Sequence, residues 1–237
     1  MTKATWTRLV LIFALLFPGI GAVCYFILAQ DQWLKVIYFA SKVVQFILPA
    51  VWIFVVLREP FSTRKITLEN AIAGLKTGVI FFVLTLVAYF FIFERFDLLA
   101  GSSDAITQKI GEFGVTSPLS FILMAVYISA LHSFLEEYYW RWFVFRKLRE
   151  FMGFGASVVI SSVGFTLHHI VVIGYYAPAN YAAVLIPLAS FSVFIAGVVW
   201  AYQYEQSRSL WVVWISHLLT DAALMVVGYR LIFSQFP

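Results

Sequence analysis

Long apolar runs alternate with short polar breaks along most of this chain. The runs extend from about Leu9 to Ala29, Val36 to Leu57, Leu68 to Phe93, Pro118 to Phe151, Ala156 to Tyr176, Tyr181 to Tyr204 and Leu210 to Phe233. A helix needs about 20 mainly apolar residues to cross the hydrocarbon of a bilayer. The pattern therefore predicts about seven spanning helices, within a range of six to eight, in an all-α polytopic membrane helix bundle. The first run, about 21 residues, is longer than the roughly 7–15 apolar residues of a signal peptide. One long polar interval, 94–117, interrupts the series, and Asp104 to Phe113 within it predicts a short surface helix. Pro118 follows, a residue suited to the first position of a helix. The run it opens, about 34 residues, exceeds one crossing, so its basic end (Arg146, Lys147, Arg149) is expected to project into water. No period of about 20–50 residues repeats and no Gly/Ser linker divides the chain. Residues 1–237 thus read as a single transmembrane domain, with generic N-terminal helices over 1–100.

Composition sharpens the class. The chain is 62% hydrophobic and 12% charged, with a mean hydropathy of +0.92, whereas soluble domains carry about 25% charged residues. The net charge of +4 does not point to nucleic acid, because the basic residues fall in short loops, where helix orientation requires them. Nucleic-acid binding is not expected; the bilayer is the expected surrounding. A single cysteine, Cys24, makes no internal disulfide and excludes zinc sites built on paired thiolates.

Loop charge also orients the chain. Lys3, Arg8, Arg58, Arg64, Lys65, Arg146, Lys147, Arg149 and Arg208 fall on one side, and Lys35, Arg95, Lys109 and Arg230 on the other. Nine against four favours a cytoplasmic N-terminus and, with seven spans, an external C-terminus. Short loops fit a bacterial inner membrane.

The candidate chemistry lies in the later helices. All four histidines, His132, His168, His169 and His217, fall in apolar segments there, with the acids Glu136, Glu137 and Asp221. Charge within a span is costly and normally faces a protein interior or a water-filled cavity. Residues four apart share a helix side, which pairs His132 with Glu136, Glu137 with Arg141 and His217 with Asp221. Glu136 and Glu137 point about 100° apart. Glu137 is thus expected to be neutralised structurally by Arg141, leaving Glu136 to face a cavity. At 1.5 Å per residue, His217 lies about 10 Å, His169 about 20 Å and Glu136 about 21 Å from the cytoplasmic ends of their helices, so the three are expected to meet in the cytoplasmic half of the bilayer.

These residues carry a family resemblance. Glu136-Glu137-x-x-x-Arg141 resembles the EExxxR motif of the CPBP family, the CAAX proteases and bacteriocin-processing enzymes. Phe165-x-x-x-His169 resembles its FxxxH motif, and His217-x-x-x-Asp221 its third, a histidine followed four residues later by Asn or Asp. Any one is weak, FxxxH above all in a chain with 25 phenylalanines; three in order, on separate membrane helices, are strong. The resemblance covers roughly 118–225, which it makes the catalytic core. It implies an intramembrane endopeptidase acting on a membrane-embedded, prenylated or leader-bearing peptide or protein. Glu136 would activate a water as general base, and His169 and His217 would hold that water or polarise the carbonyl. Asp221 stands where Asn is common. An ionised Asp cannot donate to an oxyanion, so it would orient His217, ligate a metal or be protonated. Glu137, Arg141, Phe165 and His132 would be supporting residues. No obligatory cofactor is expected, although Glu, two His and Asp suit a divalent ion such as zinc, and the family is described as both glutamate-type and metallo-type. The zinc-protease helix motif HExxH is absent.

Plainer readings stand beside these. His132 and His168 read as helix–helix hydrogen-bond partners. The aromatic run Tyr138-Tyr139-Trp140-Trp142-Phe143 reads as packing and interface anchoring, and Arg146 to Arg149 as a cytoplasmic anchor. Two other functions use the same residues: a proton-coupled secondary transporter, and a non-catalytic membrane immunity or scaffold protein.

Overall fold

The computed structural model describes residues 2–28, 32–99 and 101–233. Seven helices are long and apolar enough to cross a membrane: α1 (Lys3–Leu28), α2 (Val36–Leu57), α3 (Leu68–Phe93), α5 (Pro118–Leu148), α6 (Phe154–Tyr176), α7 (Ala182–Ser207) and α8 (Leu210–Phe233). The short helix α4 (Ser102–Gly111) precedes α5. No strand occurs among the described residues. The expected end of the first run at Ala29 lies outside them. Large apolar side chains such as Ile20, Phe39, Phe91, Leu123 and Phe191 are exposed, a surface that lipid tails solvate and water does not. The chain is an all-helical integral membrane protein.

Contacts divide the chain into two compact units. One comprises residues 1–64, 137–175 and 186–208; the other comprises 65–136, 176–185 and 209–237. The long helix α5 serves both, its residues up to Glu136 belonging to the second unit and those from Glu137 to the first.

In the first unit, α1 opens at Thr2, whose side chain accepts from the Thr5 N–H at 3.3 Å, satisfying one of the donors a helix start leaves unpaired. Tyr139 on α5 donates its hydroxyl to the Ala14 carbonyl of α1 at 2.8 Å. The end of α5 is fastened by charge. Lys147 is fully buried, with Nζ 2.6 Å from Glu59 Oε1 and 2.8 Å from Glu150 Oε1, while Arg149 Nη2 lies 3.2 Å from Glu205. The expected projection of this basic run into water therefore does not hold for Lys147. Glu59, on the polar stretch after α2, reaches back over it and supplies the acid that makes its burial tolerable.

In the second unit, α3 starts at Thr67, which accepts from Asn70 N–H at 3.2 Å. It then packs on α8 through Gly74 and Gly78. A Cβ on Gly74 would lie 2.5 Å from the Val212 carbonyl oxygen, and one on Gly78 would lie 3.0 Å from Ser216 Cα. Small residues four apart let membrane helices approach closely, and here they bring α3 against the turn of α8 that carries His217. α5 opens with a reciprocal capping box between Ser117 and Ser120, with Pro118 in the first turn, which fixes its start. Further along, Trp214 Nε1 on α8 donates to the Ala130 carbonyl of α5 at 2.8 Å. α5 is not uniformly α-helical: Tyr127–His132 and Tyr138–Phe145 are wider π-helical turns on either side of Ser133–Glu137, a feature that tends to occur at functional positions.

Candidate active site

In the second unit, α5 and α8 place two acids and two histidines together. Glu136 and His217 are both buried. His217 Nε2 lies 3.8 Å from Glu136 Oε2 and 3.5 Å from Asp221 Oδ1. His132 Nε2, one turn back on α5, lies 4.0 Å from Glu136 Oε1. The His217–Asp221 approach follows from their spacing on α8. The approach of His217 to Glu136 joins two helices, and the Trp214–Ala130 hydrogen bond holds them next to it. Phe134 reinforces this contact, with its ring 5.5 Å from Trp211 and 6.0 Å from Trp214. One imidazole nitrogen thus faces two carboxylates at separations longer than a direct hydrogen bond.

In the first unit, Glu137 and Arg141 are buried and form an ion pair at 3.2 Å. The guanidinium also lies over the Phe165 ring at 4.5 Å and the Trp200 ring at 5.1 Å, a cation–π arrangement that suits a charge removed from water. Phe165 is the centre of this set: its ring centroid is 4.5 Å from that of His169 and 5.6 Å from that of His168. His169 Nδ1 lies 2.8 Å from the Phe165 carbonyl oxygen. A carbonyl only accepts, so Nδ1 carries the proton and the second ring nitrogen, Nε2, is the basic one in the neutral ring. His168 is buried, stacked parallel to Trp140 with centroids 5.8 Å apart, and its ring is 4.0 Å from that of His169.

The structure thus gathers Glu136, His132, His217 and Asp221 in one unit and Glu137, Arg141, Phe165 and His169 in the other, with the unit boundary at the Glu136–Glu137 peptide bond. Sequence reasoning gave Phe165 little weight because phenylalanine is so frequent, and it did not single out Trp200. The adjacency of His168 and His169 was the available sign that they act as a pair, and each offers a ring nitrogen within 4.8 Å of the other. Glutamate and paired imidazoles are donors compatible with a divalent metal.

Residues 118–223 match the family model described as Rce1-like, type II CAAX prenyl endopeptidase Rce1-like. Those residues are an Rce1-like domain. The match agrees with the resemblance to the CPBP and CAAX proteases, and the family supports a CAAX-type endopeptidase working within the membrane. The Rce1-like segment runs from the first residue of α5 to Ala223, two residues past Asp221, and so contains all eight candidate residues. No curated protein and no solved structure matches the chain.

Proposed function

We propose that this protein is an intramembrane endopeptidase in which Glu136 activates a water for attack on a peptide bond. The observation that carries this reading is the placement of His217 Nε2 near both Glu136 and Asp221, at 3.8 and 3.5 Å. A water can lie within hydrogen-bond reach of Glu136 and His217 together, and a general base must reach the proton that it removes. In the reaction, the water oxygen bonds to the scissile carbonyl carbon while Glu136 takes the proton. Glu136 then returns a proton to the amide nitrogen as the carbon–nitrogen bond breaks. His217, steadied by Asp221, orients the water or donates to the carbonyl oxygen, where charge develops. His169 takes part through its motif: with Nδ1 committed to Phe165, its Nε2 donates to an oxyanion only as imidazolium and binds a metal only as neutral imidazole. Glu137 and Arg141 hold α5 rigid behind the base.

No metal is obligatory in this scheme. A divalent ion, if held by Glu136 and the histidines, would supply an acidified water and polarise the carbonyl. Chelation followed by zinc repletion separates the two chemistries: activity unaffected by chelator keeps the glutamate-type reaction, and loss restored by zinc replaces it.

The substrate is proposed to be a lipidated peptide or protein tail, with the N-terminus of the enzyme cytoplasmic, the site in the cytoplasmic half of a bacterial inner membrane. An apolar groove of about 550 Å³ between α5 and α8 supports a lipid-bearing substrate. Its lining runs from Ser129 and Ala130, and from Leu218 and Ala222 beside His217 and Asp221, out to Phe121 and Tyr229. The test is cleavage of a prenylated peptide in liposomes by the wild type, Glu136→Gln and His217→Ala. Cleavage that survives both substitutions overturns the assignment. Proton flux lost in Glu136→Gln without any peptide product would favour a transporter.

A further inference from the structure

α2 lies outside the Rce1-like segment and carries a cation within the membrane. Lys42 is six residues into the span, about 9 Å from its start at 1.5 Å per residue. Ionisable residues at such depth mark functional sites by default. Its ammonium is held between two rings, 5.6 Å from the Tyr38 centroid and 6.0 Å from that of Phe46. Tyr38 is in turn stacked on Tyr25 at 4.1 Å, so the cradle is built and not a chance orientation of a long side chain. Lys42 Nζ donates to Gln45 Oε1 at 3.2 Å. An ammonium has only donors, so the Gln45 carbonyl oxygen faces it and the amide nitrogen is directed elsewhere. Gln45 is buried at 1% exposure, and its Nε2 has no hydrogen-bond partner.

A buried donor without a partner is costly, and protein interiors rarely leave one. Here it stands beside a second donor group, the ammonium. The ligand that suits two such donors is acceptor-only, anionic and two-pronged: a carboxylate, or a phosphate. The register of α2 on α5 adds the position. Phe46, one turn on from Lys42, meets Tyr139 edge-on with centroids 6.5 Å apart, and Tyr139 is two residues after Glu137. The donor pair therefore lies at about the level of the glutamate turn of α5.

We propose that Lys42 and Gln45 bind the C-terminal carboxylate of the peptide substrate. The proposal rests on the endopeptidase reading and extends it: the enzyme recognises a free chain end. A CAAX-type tail places its carboxylate three residues beyond the lipidated cysteine, about 10 Å in extended form, so anchoring it sets which peptide bond reaches Glu136.

The experiment compares one prenylated peptide as the free acid and as the C-terminal amide. Wild type is expected to show a KM for the acid at least about tenfold below that for the amide, the scale of one charge-assisted hydrogen bond. Lys42→Met and Gln45→Leu are expected to bring that ratio close to one, and Lys42→Arg to preserve it. Binding of both peptides to Glu136→Gln protein, read by fluorescence anisotropy, gives the same comparison without turnover. Acid-selective binding with no cleavage by wild type would overturn the protease reading and leave the carboxylate site standing. Equal affinity for acid and amide in wild type, or selectivity retained in both Lys42→Met and Gln45→Leu, overturns the site. Vesicles with and without anionic phospholipid separate the other source of the anion. A dependence on that lipid abolished by Lys42→Met, with acid selectivity unchanged, would make this a lipid phosphate site and overturn the proposal.

Discussion

Glu136 and Glu137 are consecutive on α5, yet their surroundings differ in kind. Glu137 meets a guanidinium directly at 3.2 Å, and that guanidinium is itself enclosed by Phe165 and Trp200. Glu136 faces imidazole nitrogens at 3.8 and 4.0 Å, too far for direct hydrogen bonds and near enough for an intervening molecule. The first environment fixes a charge; the second leaves room for chemistry. A step of about 100° around one helix is enough to give the same side chain two occupations.

Substitutions can separate those occupations. The largest expected effect is Glu136→Gln, which removes the proposed base with little change in shape. Cleavage should fall by about 10²–10⁴-fold, the usual contribution of a general base, with the melting temperature in detergent unchanged. A drop in stability of the size expected for its neighbour would erase the contrast between them. Next comes Arg141→Met, which leaves Glu137 buried without its counter-charge. The loss should be about 3–5 kcal/mol of stability, read from unfolding in detergent, and adding Glu137→Gln should recover part of it. Smaller is Gly74→Ala, whose new Cβ would meet the Val212 carbonyl oxygen at 2.5 Å. Overpacking of this kind costs about 1–3 kcal/mol, and the shift of α8 should lower kcat more than it raises KM. The smallest effect is expected from Asp221→Asn. The amide oxygen still accepts from His217, so kcat/KM should fall by less than about tenfold, on the scale of one neutral hydrogen bond. A far greater loss would mean that Asp221 acts through its charge.

Much of this architecture is legible in the chain because membranes impose a simple code. Apolar runs of spanning length gave the seven helices, and Ser117-Pro118 marked the start of α5 through its capping chemistry. Four-residue spacing pointed to Glu137–Arg141 and His217–Asp221 because both pairs lie within one helix. What spacing cannot supply is a partner from elsewhere. Lys147 looked like a solvated anchor, since its acid, Glu59, is 88 residues away. Phe165 looked like one apolar residue among many, since its value comes from Arg141, Trp200 and His169 converging on its ring. Gly74 and Gly78 are a readable small-residue pair, but only the approach of α8 reveals that they serve the turn of His217.

The wide turns of α5 carry a consequence of their own. A π-helical turn holds one residue more than the α-helical turn it replaces, so Tyr127–His132 and Tyr138–Phe145 each contain slack of about one residue. A single deletion in the first would tighten it and swing Ser133–Glu137 around the axis, carrying Glu136 away from His217. A deletion in the second would leave Glu136 where it is and withdraw Arg141 from Glu137. Tolerance of shortening at this helix should therefore be lopsided, with each stretch guarding a different carboxylate.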